Sequence, residues 1–171
     1  MSAPGFVQMQ IFRMVLDPKN QSPIVILSDP ASGALLPIWI GIFEAHAIAL
    51  KLENIQAPRP MSHDLMKGIL VALGAKLDRV EVVDLEENTY IARLQVTVGD
   101  AHYEVDSRPS DAMALAIRME CPILVAEHVL EAGKIDASSL NLEGEPGDGE
   151  DDEWTRILKN YNPPGGREKI N

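Results

Sequence analysis

Residues 89–107 constrain the fold of this chain more than any other segment. Thr89 to Val98 reads as a strand in which apolar and polar side chains alternate strictly from Ala92 onward, Gly99-Asp100 is a two-residue turn sequence, and the chain runs on from Ala101 to Ser107. The pattern predicts an antiparallel hairpin, and the loop length fixes its register. One face then pairs Val98 with Ala101, Val96 with Tyr103 and Leu94 with Val105, all suited to a core. The other pairs Thr97 with His102, Gln95 with Glu104 and Arg93 with Asp106. A slip of one residue would turn every apolar side chain to the wrong face, so the pairing is tightly specified.

The rest of the chain reads as strands and helices around that hairpin. Strands are expected over residues 6–16, 24–27, 34–40, 80–84 and 123–126, with turns at 18–20, 29–33 and 86–88. A helix over 43–53 carries Phe43, Ala47 and Leu50 at i, i+4, i+7, broadened by Ala45, Ala49 and Leu52, so much of it should be buried. Ser62 is the expected N-cap of a second helix, closed by Gly74. A third runs over 109–119 and ends near Cys121-Pro122; a helical turn over 127–132 stops at Gly133.

Charge divides the chain. Residues 1–135 hold 17 acidic and 11 basic side chains, a net of −6; residues 136–171 hold 9 and 4, a net of −5. An acidic body argues against binding nucleic acid through a broad basic surface, so a polyanion would need a local basic site or bridging metal ions. Residues 143–153 contain seven acidic side chains, three glycines, a proline and no base, and are expected to be disordered. Beyond them Trp154, Ile157, Leu158 and Tyr161 fall at i, i+3, i+4, i+7, an amphipathic segment over 154–161 that would dock on a protein partner or fold back on its own domain. The reading is one domain over 1–135 and an acidic flexible tail over 136–171.

No stretch approaches the ~20 apolar residues of a membrane span. The opening Met1-Ser2-Ala3-Pro4-Gly5 lacks a basic region followed by an apolar run, and Cys121 is the only cysteine, so a cytoplasmic protein without a signal peptide is expected.

Two segments share a pattern: Asp106-Ser107-Arg108-Pro109-Ser110-Asp111 and Arg59-Pro60-Met61-Ser62-His63-Asp64 each place an arginine and a proline just before a Ser/Asp helix start. Capping accounts for Pro109 and Ser110, and a carboxylate at Asp111, Asp64 or Glu44 suits a helix's positive end. It does not account for Arg108, whose charge is unfavourable there unless it meets an acid such as Asp106, or a phosphate held by free backbone N–H groups. His102, Glu104 and Asp106 share one strand face, either as metal ligands or as a solvated polar surface. Walker, GxGxxG, GxSxG, HExxH and CxxC patterns are absent, so dinucleotide, serine-hydrolase and structural-zinc chemistries have no support.

Three segments carry a family resemblance: Leu36-Pro37-Ile38-Trp39-Ile40-Gly41-Ile42-Phe43-Glu44-Ala45, Pro58-Arg59-Pro60-Met61-Ser62-His63-Asp64-Leu65, and Val105-Asp106-Ser107-Arg108-Pro109-Ser110-Asp111-Ala112. In this order they resemble the bifunctional nuclease (BFN domain) family of bacteria and plants, over residues 6–133. The resemblance implies an α+β single domain, a mixed, strongly bent β-sheet packed with three main helices, as a homodimer with nuclease activity on DNA and RNA. The polar positions it carries over are Glu44, Arg59, His63, Asp64, Asp106, Arg108, Ser110 and Asp111. Two readings follow. In a metal-assisted nuclease, His63, Asp64, Asp106 and Asp111 are catalytic, Glu44, Asp106 and Asp111 hold Mg²⁺ or Mn²⁺, and Arg59, Arg108 and Ser110 hold the substrate. In a non-enzymatic dimeric binding module, the Arg/Asp cluster is structural and the tail recruits a partner.

Overall fold

The computed structural model describes residues 5–17 and 19–135; Pro18 and the expected tail, with its 154–161 segment, lie outside the described residues. The strands are β1 (Phe6–Leu16), β2 (Pro23–Ser28), β3 (Leu35–Trp39), β4 (Ala75–Glu86), β5 (Thr89–Val98), β6 (Ala101–Ser107) and β7 (Ile123–Ala126). They form one sheet in the order β3-β2-β1-β7-β4-β5-β6. Neighbours are antiparallel except β4 and β7, which run parallel, so the sheet is mixed. Among the described residues four helices complete an α+β domain: α1 (Ile42–Leu52), α2 (Ser62–Ala72), α3 (Pro109–Met119) and α4 (Glu127–Gly133). The sheet bends along β1. Its first four residues pair with β7 and the remainder with β2, and a register shift between Ile11 and Arg13 bends the strand.

The hairpin forms in the expected register, with Arg93 opposite Asp106, Leu94 opposite Val105 and Val96 opposite Tyr103. Gly99 has a φ of 58°, as a turn with glycine in its first central position requires. At the preceding turn Glu87 and Asn88 both take left-handed backbone, at φ 46° and 64°, which matches the twist of β4 into β5. Strand β4 begins earlier than expected because Gly74, at φ 66°, turns the chain straight out of α2.

The core lies between the sheet and the helices. Ala112, Met113, Ala114, Leu115 and Ala116 of α3 are buried over Val80 and Val82 of β4 and Ala92, Leu94 and Val96 of β5. The alanines let this helix approach the sheet closely. Strand β6 departs from expectation. It is the sheet's edge, and Tyr103 and Val105 remain 54% and 45% exposed because α2 and α3 pack over β4 and β5 instead. In α1 the buried residues are Ala45, Ala47, Ile48, Ala49 and Leu50, whereas Phe43 is 84% exposed and Leu52 is exposed. In α2 only His63 is buried, and Leu65, Met66, Ile69 and Val71 face solvent. Its N-cap is Met61 rather than Ser62: the Met61 N–H donates to the Asp64 carboxylate at 3.0 Å.

Gly133 closes α4 against the sheet, where an added Cβ would overlap the Tyr90 hydroxyl and the Leu36 side chain. Gly133→Ala is expected to cost about 1–3 kcal/mol in denaturant unfolding. Tyr90→Phe in the same background should recover part of that loss.

Candidate functional site

Three helix N-termini converge on one cleft. Glu44 lies in the first turn of α1, His63 in the first turn of α2, and Asp111 in the first turn of α3, with Arg108 as that helix's N-cap residue. Arg108 joins them. Its Nε donates to Asp111 Oδ2 at 2.7 Å and its Nη2 to Glu44 Oε1 at 2.7 Å. Asp111 Oδ1 in turn bonds His63 Nε2 at 2.9 Å, across 48 residues of sequence. These four side chains border a cleft of about 720 Å³ whose other walls include Ile42, Phe43, His46, Met61 and Met66.

Local backbone explains the placement. Pro109 pre-sets the start of α3, and Arg108 sits just outside it in extended conformation, so its side chain can turn back along the first helical turn to Asp111. Helix dipoles favour Glu44 and Asp111 where they stand. At Gly41 the missing side chain matters: a Cβ there would press on the Glu44 carboxylate. Burial pushes the Asp111 carboxyl up, but hydrogen bonds from Arg108 and His63 outweigh it, and the net shift is downward from 3.8. The bonds to Asp111 and then Glu44 hold the Arg108 guanidinium even more firmly charged.

The remaining candidates are elsewhere. Asp64 accepts from Arg118 Nε at 2.7 Å and from the Met61 N–H, which gives it a helix-fixing task outside the cleft. Arg59 lines a neighbouring pocket with Asp64. Ser110 is buried at the start of α3 and makes no capping bond; it lines a third cavity with Trp39 and Tyr90. Asp106 is exposed on β6, and the arginine opposite it, Arg93, pairs with Glu104 instead at 2.7 Å. With His102 bonded to Thr97, the outer hairpin face is a cross-strand polar ladder.

The expected metal set is not assembled. Among the described residues no three His, Cys, Asp or Glu side chains gather as a metal site, Asp106 stands apart, and one arginine bridges Glu44 and Asp111. As they stand, Glu44 and Asp111 hold one guanidinium between them rather than a cation.

Sequence reasoning missed Arg118, which is only 4% exposed. Its Nε binds Asp64, its Nη1 the Ala114 carbonyl at 3.0 Å and its Nη2 the Ala47 carbonyl at 2.9 Å. The available signal was position: Arg118 lies at i+7 from Asp111, two turns along the same face of a buried helix.

An α+β domain with a charged cleft at three helix starts thus stands beside its relatives. A family model described as the bifunctional nuclease domain matches residues 25–138. An uncharacterized protein of Mycobacterium tuberculosis is 44% identical over 116 residues, covering 68% of this chain and 68% of its own length. Bifunctional nuclease 1 of Arabidopsis thaliana is 30% identical over 132 residues, covering 71% of this chain and 41% of the plant protein. The chain belongs to the bifunctional nuclease domain family.

Two outcomes follow from the ion pairs. Asp64→Ala leaves a buried guanidinium without its acid and should cost about 3 kcal/mol in equilibrium unfolding. For Asp111 the folded pKa is depressed, so its contribution is complete above the ordinary value of 3.8 and is lost as pH falls through the lower folded value. Stability measured down the acid limb should therefore fall less steeply in Asp111→Asn than in the unmodified protein.

Proposed function

We propose that this protein is a nuclease that hydrolyses phosphodiester bonds of DNA or RNA at the cleft joining Glu44, His63, Arg108 and Asp111. The observation that carries this reading is the continuous chain of bonds from Glu44 through Arg108 and Asp111 to His63, drawn from three helices and opening onto one cleft. Supporting it, the plant relatives are named bifunctional nucleases.

The residue types suit the reaction. Arg108 is largely in solvent, and with Nε and Nη2 each holding a carboxylate its Nη1 and spare N–H groups remain for a phosphate oxygen. Glu44 and Asp111 keep the guanidinium in place. Asp111 also fixes the His63 ring through Nε2, which leaves Nδ1 without a partner among the described residues. That nitrogen takes a proton from the attacking water or gives one to the departing oxygen as the P–O bond breaks.

Arg108→Ala and His63→Gln should each lower cleavage of a labelled oligonucleotide by about 100-fold or more, with circular dichroism unchanged. Purified protein that leaves single- and double-stranded DNA and RNA intact, with and without Mg²⁺ or Mn²⁺, would sink the reading. Metal assistance is a separate proposal read in the same assay: strict dependence on either ion supports it, and full activity in a chelator removes it.

A second reading rests on the full pairing of the cluster, since Arg108 ties α1 to α3 and His63 ties α2 to α3. On this view the protein is a binding module and the cluster a clamp. Loss of stability in Arg108→Ala, in a protein with no nuclease activity, is its signature. The tail, with residues 154–161 as the docking segment, would then recruit the partner.

For the homodimer, the supporting surface is α2, where Leu65, Ile69 and Val71 are exposed on a helix that buries only His63. Ile69→Lys should convert a dimer to monomer in sedimentation. For a cytoplasmic setting, burial raises the Cys121 thiol to about 11, keeping it protonated and inert at neutral pH. Among the described residues no helix is long and apolar enough to cross a membrane.

A further inference from the structure

A second cavity lies beside the cleft, on the other side of Met61, which lines both. Its volume is about 390 Å³, and its charged lining is Lys51, Arg59, Lys67, Arg118 and Asp64. Four of the 11 basic side chains in residues 1–135 thus border one cavity, in a chain whose net charge is −11.

The one acid there does not neutralise them. Asp64 Oδ1 is taken by Arg118 and Oδ2 by the Met61 N–H, while Arg118 is buried and spends its donors on Asp64 and two carbonyls. The Lys67 ammonium gives one bond to the Arg118 carbonyl at 2.8 Å and has two N–H donors left. Lys51 and Arg59 make no ion pair among the described residues. Lys51 is explained in part by the end of α1, where a cation suits the dipole. Arg59 has no such explanation. It stands in the loop between α1 and α2 with Pro58 before it and Pro60 after it, so its backbone is stiffened in an exposed position. A cation held out by stiff backbone loses little freedom when it meets an anion.

We propose that the Lys51, Arg59 and Lys67 cavity is a subsite for backbone phosphate of the nucleic acid, next to the cleft where the strand is cut. The proposal rests on the nuclease reading. It supplies what an acidic protein needs to hold a polyanion: a compact basic site close to the reacting bond, in place of a broad basic face. The site reads no bases, so it acts alike on every sequence.

The test uses the full chain, a fluorescent single-stranded oligonucleotide, and anisotropy titrations at several salt concentrations, with cleavage followed in parallel. Lys51→Ala with Arg59→Ala should weaken binding about tenfold and flatten the log–log salt dependence by about 1 to 2. KM should rise with kcat nearly unchanged, and Lys51→Arg with Arg59→Lys should restore binding. Unchanged affinity and salt slope in the alanine variant, with the unmodified protein still cutting, overturns the subsite and leaves the nuclease reading standing. An unmodified protein that neither binds nor cuts overturns both. Inorganic phosphate that competes as well as unlabelled oligonucleotide, at equal concentration of phosphate groups, overturns it by reassigning the cavity to a free anion. Deletion of residues 143–153 that abolishes the difference between the unmodified and alanine proteins overturns it in favour of the chain's own acidic segment.

Discussion

Helix α3 is pinned at both ends, and the arrangement of the other two long helices depends on those pins. At its start Arg108 and Asp111 reach Glu44 of α1 and His63 of α2. At its end Arg118 reaches the Ala47 carbonyl of α1 and Asp64 of α2. The two pins are ten residues apart, roughly 15 Å along the axis. Between them the helix is almost all small or apolar side chains resting on β4 and β5. Burial fixes the height of α3 above the sheet, and the polar pins fix where α1 and α2 meet it.

The pins differ in solvent exposure, and chemistry follows from the difference. Arg118 is enclosed, with all its bonds made within the protein, and removing its acid would strand a charge in the interior. Arg108 makes bonds of the same length in solvent, where they hold its direction more than they add stability. An arginine that is aimed but not enclosed suits an incoming anion. The chain therefore uses one residue type twice on one helix, once for cohesion and once for recognition.

Much of this was legible in the sequence, for identifiable reasons. The hairpin register followed from a two-residue loop and an alternating pattern, both local. Glu44, His63, Arg108 and Asp111 could be nominated because charged residues at helix starts carry a physical meaning. Their pairing could not. His63 and Asp64 are adjacent, yet successive positions on a helix point about 100° apart, so one meets Asp111 in the cleft and the other meets Arg118 beyond it. Asp106 faces Arg93 in the ladder, but the long arginine side chain reaches diagonally to Glu104. The apolar face of β6 obeyed its period and still stayed exposed, since periodicity says which residues share a face and not whether a helix covers it.

The way α2 is held has a consequence for how the molecule opens. Its buried apolar contribution is slight, and its attachment comes from polar contacts: His63, Asp64, and Lys67 to the Arg118 carbonyl. A helix held this way belongs to the low end of the local-unfolding spectrum, and its amides exchange with solvent by excursions far cheaper than global unfolding. Residues on α2 and the residue before it wall both the cleft and the basic cavity, so one excursion uncovers both at once. The two cavities therefore share a single door, whose opening leaves the strands of the sheet protected.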